Sequence, residues 1–143
     1  MLLPDKRMVD FLRHHHVLTL ATSHDNIPWC CQCFYVYIEQ IQGLVFTSDK
    51  TTRHILEAQE QPVVAGSIAL ETKIIGKLQG IQLTGRLIEA QDSLLEQCKS
   101  AYLKRFPVAH LMKTTLWFLE LSSMKMTDNN LGFGKKLYWQ RND

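Results

Sequence analysis

The stretch Phe46-Thr47-Ser48-Asp49-Lys50-Thr51-Thr52-Arg53-His54 reads as a strand end running into the first turn of a helix. A helix start presents unpaired N–H groups and about half a positive charge, so it attracts anions. Lys50, Arg53 and His54 add cationic donors, and Thr47, Ser48, Thr51 and Thr52 add hydroxyls. Phosphate suits this set, because each of its oxygens accepts more than one hydrogen bond. The same residues also describe a capped surface helix with solvated basic side chains. Residue types alone leave both readings open.

Other groups carry less chemistry. Cys30, Cys31 and Cys33 crowd together while Cys98 stands apart, a spacing that fits neither a disulfide framework nor a paired zinc knuckle. Free thiols in a reducing cytosol are expected, with Cys31 and Cys33 on one strand face as small buried hydrophobes or, alternatively, a redox thiol. His14-His15-His16 falls where a helix meets a strand; consecutive histidines point in different directions, so a solvated helix end is expected rather than a metal site. We therefore expect no metal. Gly132-Phe133-Gly134-Lys135-Lys136 lacks the spacing of a phosphate loop and reads as a bulged hairpin with solvated lysines. Gly80 and Gly85 mark either a bend or the close approach of a ligand. Trp139-Gln140-Arg141 offers a stacking ring and a cation to a cofactor edge, or an aromatic that covers a barrel mouth.

These residues need elements to position them. Pro4 and Asp5 start a helix carrying Met8, Phe11, Leu12 and His15 at helical spacing. Val17–Ser23 and Trp29–Glu39 are β-rich and joined by a turn at residues 24–28, and a hairpin at 40–43 leads to a strand at 44–47. Thr51 or Thr52 caps a helix that Pro62 stops, and strands follow at 63–70 and 77–89. Ser93 with Glu96 forms a capping box for a helix ended by Pro107. Trp117, Leu119 and Leu121 alternate in a strand at 116–126, and a last strand spans 131–141. Six or seven strands with three helices make an α+β chain, most economically closed as a small antiparallel barrel with helices over its open ends.

The 143 residues fit one domain, 1–143, with 45% hydrophobic and 21% charged residues as in ordinary globular proteins. No apolar run reaches the roughly eighteen residues of a membrane-spanning helix, and charges appear too early at the N-terminus for a signal peptide. A net charge of +2 is too mild to imply nucleic acid or an anionic membrane as partner. A compact cytoplasmic protein is the expectation, and composition says nothing about its chemistry.

Four groups of residues carry a family resemblance: Lys50-Thr51-Thr52-Arg53-His54, Gly80-Ile81-Gln82-x-x-Gly85, Arg105-Phe106-Pro107-Val108-Ala109, and the run from Thr127-Asp128-Asn129 through Leu131-Gly132-Phe133-Gly134-Lys135-Lys136. On them the chain resembles the flavin-binding split-barrel superfamily typified by pyridoxamine 5′-phosphate oxidase, and more closely its YhbP-like branch of small bacterial proteins, a branch without an established reaction. The resemblance implies a homodimer with flavin mononucleotide (FMN) between two split barrels. The oxidases hold the FMN phosphate with an aromatic-Thr-x-x-x-Ser-Arg-Lys pattern. Laid over Phe46 onward, Thr47 matches, Thr51 replaces the serine, Thr52 stands in place of the arginine and Arg53 in place of the lysine, with Lys50 near enough to restore the charge. The cations expected on the strand at 29–38 are replaced by Cys30-Cys31-Gln32-Cys33-Phe34, and the glutamine near the ring falls at Gly80, beside Gln79 and Gln82. These departures point away from pyridoxamine phosphate as substrate.

The resulting expectation is an FMN-binding protein, with a flavin-dependent oxidoreductase as the enzymatic form. Thr47, Lys50, Thr51, Arg53 and His54 would hold the phosphate, and Gln82 and Trp139 would lie by the ring. No side chain stands out as a catalytic acid or base. The alternative is a non-catalytic split-barrel module for another phosphorylated or planar ligand, such as a deazaflavin or haem, with the FMN site vestigial.

Overall fold

A computed structural model describes residues 2–111 and 113–142; the remaining three positions of the 1–143 chain lie outside the described residues. Asp5 caps the first helix, its carboxylate accepting from Arg7 N–H at 2.9 Å, and α1 (Lys6–His14) buries Met8, Val9, Phe11 and Leu12. β1 (Val17–His24) and β2 (Ile27–Ile38) then pair as a hairpin. Its two-residue turn places Asp25 and Asn26 at φ 52° and 63°, the left-handed pair whose twist suits right-handed strands. β3 (Gly43–Ser48), α2 (Arg53–Glu60), β4 (Val63–Ala69), β5 (Gln79–Glu89), α3 (Asp92–Arg105), β6 (Thr115–Asp128) and β7 (Lys136–Gln140) complete the chain.

The strands form one antiparallel sheet in the order β3-β2-β1-β4-β5-β6-β7, and β3 also pairs with β6. That pairing closes six strands into a barrel and leaves β7 as an extra strand on β6. The fold is the expected α+β split barrel with three covering helices. Closure removes the exposed edges that an open sheet would present.

Two apolar layers hold it together. Inside the barrel, Leu18, Leu20, Tyr35, Leu44, Phe46, Leu119 and Leu121 pack with Met8 and Leu12 of α1. Outside it, Val36, Ile38, Val45 and Phe118 are covered by Cys98 and Tyr102 of α3. β3 therefore buries both faces, Leu44 and Phe46 inward and Val45 outward. Burying each large side chain contributes roughly 1.5–3 kcal/mol. Gly85 sits at a register shift between β5 and β6, where a Cβ would lie 2.3 Å from the Glu120 carbonyl oxygen. Its role is the barrel bend. Gly80 meets no such obstacle.

Three local expectations change. α3 starts at Asp92 after Gln91 with no side-chain cap bond, so Ser93 lies inside the first turn and the capping box does not form. β5 begins at Gln79, because residues 75–77 form a short 3-10 turn. The last strand is confined to Lys136–Gln140. Ahead of it Asn129 binds both sides of a loop, donating to Ile75 O at 2.8 Å and accepting from Gly134 N–H at 2.9 Å. Gly132 and Gly134 take the positive φ values, 132° and 73°, that this loop requires.

Candidate functional site

The corner between β3 and α2 brings much of the expected anion site together. Strand alternation sends Thr47 and Ser48 to opposite sides. Thr47 Oγ1 lies 3.5 Å from the Tyr102 hydroxyl and lines a groove of about 440 Å³ beside α3. Ser48 faces α2, its Oγ 2.6 Å from His54 Nε2 and 3.4 Å from Thr52 Oγ1. Thr52 is the N-cap residue of α2, yet its hydroxyl donates to Asp49 O at 2.8 Å and makes no cap bond to the helix. The first amides of α2 are thus left without a side-chain acceptor, the condition in which a helix start attracts an anion. Thr51 is exposed beside them.

The two cations of the corner have partners. Lys50 Nζ lies 3.3 Å from Glu89, and Arg53 Nε 3.1 Å from Glu57. The Arg53 guanidinium also stacks over the Trp29 ring at 4.0 Å. Glu57 in turn accepts from the Thr22 hydroxyl at 2.8 Å. That hydrogen bond first, and then Arg53, hold the Glu57 carboxyl below the usual range. Thr22, Trp29, Arg53 and Glu57 pin α2 over the end of the β1–β2 hairpin. Both cations keep about half of their side chains in solvent, so an incoming anion can reach either of them.

The corner also gathers residues that sequence reasoning left unconnected. Cys31 and Cys33 pair across the hairpin with Leu20 and Leu18 and face the barrel interior. Their sulfurs lie 3.8 Å apart, and both sulfurs and a ring nitrogen of His54 fall within 4.8 Å of one another. The Cys31 thiol is pulled well below its ordinary value, because the Cys33 thiol donates to its thiolate and His54 lies beside it. Cys33 is pushed up, because it holds its proton in that hydrogen bond to Cys31 and is buried beside the negative charge. The spacing of 31 and 33 announced a shared face; that the face meets His54 depends on where α2 packs.

Gln82 and Trp139 are elsewhere. Both line a groove of about 1000 Å³ that none of Thr47, Lys50, Thr51, Arg53 or His54 lines. Gln82 is exposed on the outer face, in a row running Thr19, Ser67, Gln82, Lys125, Tyr138 across neighbouring strands. Trp139 turns inward, 4% exposed, and donates its ring N–H to Leu2 O at 2.7 Å. Arg141 reaches the carbonyls of Leu121, Ile41 and Gln42. Arg105 binds the His15 carbonyl and His16, tying α3 to the α1–β1 corner. Among the described residues no helix is long and apolar enough to cross a membrane.

No protein-family model matches the chain. Over 131 residues it is 42% identical to a UPF0306 protein of Yersinia enterocolitica, covering 92% of this chain and 89% of that one. Among solved structures it is similar to a heme binding protein from Mycobacterium smegmatis, with a TM-score of 0.77 at 15% identity over 98% of this chain and 60% of that one. It is also similar to a FAD-binding protein from Mesorhizobium loti, with a TM-score of 0.71 at 15% identity over 87% and 94% of the two chains. At such identities the structural likeness establishes the shared split-barrel fold. The likeness to the Yersinia protein runs through nearly the whole of both sequences, and on it the chain belongs to the UPF0306 family.

Proposed function

We propose that this chain is a cytoplasmic FMN-binding protein of the pyridoxamine 5′-phosphate oxidase-like superfamily, in its YhbP-like branch, working as a homodimer. The observation that carries the reading is the start of α2: first amides with no side-chain cap, ringed by Ser48, Thr51, Thr52, Lys50 and Arg53. This donor set fits a phosphate monoester, combining oriented N–H groups, hydroxyls and two cations whose own side chains remain open to solvent. Heme and FAD are named for proteins of the same fold, which supports a planar ligand in this one.

In this reading Lys50 and Arg53 exchange Glu89 and Glu57 for the phosphate and Thr51 adds a hydroxyl, whereas Thr47 faces the α3 groove and His54 lies beside the sulfurs of Cys31 and Cys33. A bound flavin supplies the electron chemistry; the protein binds, orients and excludes water. Gln82 and Trp139 line a different groove from the corner. Two chains packed around one ligand would bring such separate surfaces to it, which is the reason for the homodimer.

The test is flavin retention. Purified protein mixed with FMN and passed through gel filtration should keep a visible flavin band eluting with a dimer. Lys50→Ala with Arg53→Ala should lose that band while staying folded. A wild-type protein that neither retains FMN nor quenches its fluorescence would overturn the reading and favour a module for another planar ligand.

A further inference from the structure

The Cys31, Cys33 and His54 cluster has a geometry of its own. We propose that these three residues form a binding site for one zinc ion, with the fourth coordination position open. The proposal goes beyond the flavin reading and does not rest on it, because it assigns His54 to the two sulfurs rather than to a phosphate.

The argument is geometric. A tetrahedral zinc with Zn–S bonds of about 2.3 Å holds two thiolate sulfurs about 3.8 Å apart. Cys31 and Cys33 already hold theirs at 3.8 Å. Residues two apart on β2 share a face but stand roughly 6.6 Å apart along the strand, so the two side chains lean together to bring their sulfurs to this distance. His54 enters from the first turn of α2, with all three ligand atoms within 4.8 Å of one another. Two soft sulfurs and one imidazole select zinc-like metals over magnesium or calcium, which prefer oxygen.

The surroundings agree. Ligation through Nδ1 would leave the His54 Nε2–H to donate to Ser48 Oγ, 2.6 Å away, the kind of support that fixes a ligating imidazole. Cys31 is half-buried and Cys33 buried, so one side of the cluster is dry and the other open to an entering ion. Cys30 alternates to the opposite face and is exposed, and Cys98 lies in the layer beneath α3; neither belongs to the cluster.

Cobalt(II) is the probe, because tetrahedral thiolate ligation gives it intense visible bands and a sulfur-to-metal charge-transfer band. Chelator-stripped, reduced, flavin-free protein should develop these bands, saturate at one cobalt per chain and lose them when zinc is added. Cys31→Ser and His54→Gln should each weaken cobalt binding roughly tenfold or more, since even outer partners of metal ligands are worth that much. Cys30→Ser should change nothing. His54→Gln keeps the barrel interior intact, so it reads out even if a cysteine variant fails to fold. Wild-type protein without a charge-transfer band at millimolar cobalt would overturn the proposal. Bands that survive His54→Gln unchanged, or that vanish in Cys30→Ser, would overturn it equally. FMN retention is scored separately, so failure here leaves the flavin reading standing and failure there leaves this one standing.

Discussion

Cysteines at two places in this molecule behave oppositely because of what packs over them. Beneath α3, Cys98 is fully buried among Val36, Ile38, Val45 and Phe118, and burial alone pushes its thiol up to about 11. Beneath α2, Cys31 meets a second thiol and an imidazole, and its thiol is pulled down. Both helices cover the same barrel. α3 covers it with an apolar layer that holds the fold, whereas α2 brings Arg53, His54 and Glu57 onto the end of the β1–β2 hairpin. The difference teaches that α3 covers the barrel chiefly by apolar packing, whereas α2 combines buried Ile55 and Ala58 with polar side chains that meet the hairpin.

The hardest way to break that contrast is to damage the α3 side. Phe118→Ala should cost about 3–5 kcal/mol in urea unfolding, the usual loss for a buried aromatic. The geometry of the α2 corner should be unaffected under conditions where the variant stays folded, read as an unchanged rate of Cys31 modification. A loss of less than about 1 kcal/mol would mean that the α3 layer is not structural.

A middle-sized effect sharpens the contrast directly. In metal-free protein at neutral pH, a small maleimide should modify Cys31 on the order of a hundredfold faster than Cys98, read by peptide mass mapping over time. Exposure and thiolate character both favour Cys31. Equal rates would mean that the two environments do not differ as described.

The smallest effect concerns the pin that seats α2. Glu57→Gln weakens the acceptor for Thr22 and removes the charge that pairs with Arg53, so it should lower Tm slightly at neutral pH. The folded carboxyl sits below its ordinary value, so its stabilisation is present above the unfolded pKa and is lost as pH falls through the folded one. Wild type and variant should therefore converge in Tm on acidification. A gap that persists or grows at acid pH would show that the carboxylate charge is not what seats the helix.

Much of the barrel was legible from local rules. The alternation of Trp117, Leu119 and Leu121 foretold an inward face on β6, and all three are buried. Asp5 and Pro62 bounded α1 and α2 as their backbone chemistry requires. The capping box at Ser93 failed because a short motif fits several helix registers, and the register is chosen by the packing of Cys98 and Tyr102. At the corner, residue types pointed to hydroxyls and cations, but not to the engagement of Lys50 by Glu89 or the stacking of Arg53 on Trp29. Nor did they separate Gln82 and Trp139 from the corner, because the two sides of a strand look alike until the sheet closes.

By itself, then, the sequence determined an α+β barrel chain with its strands, its helices and a donor-rich turn at 46–54, because periodicity, caps and breakers act over a few residues. Only the tertiary structure decided which of those donors face one another. The barrel closes through a long-range pairing of β3 with β6, and α2 comes to rest with His54 over two sulfurs from a hairpin some twenty residues earlier. Such meetings depend on how separate elements pack, a property no local stretch of chain contains.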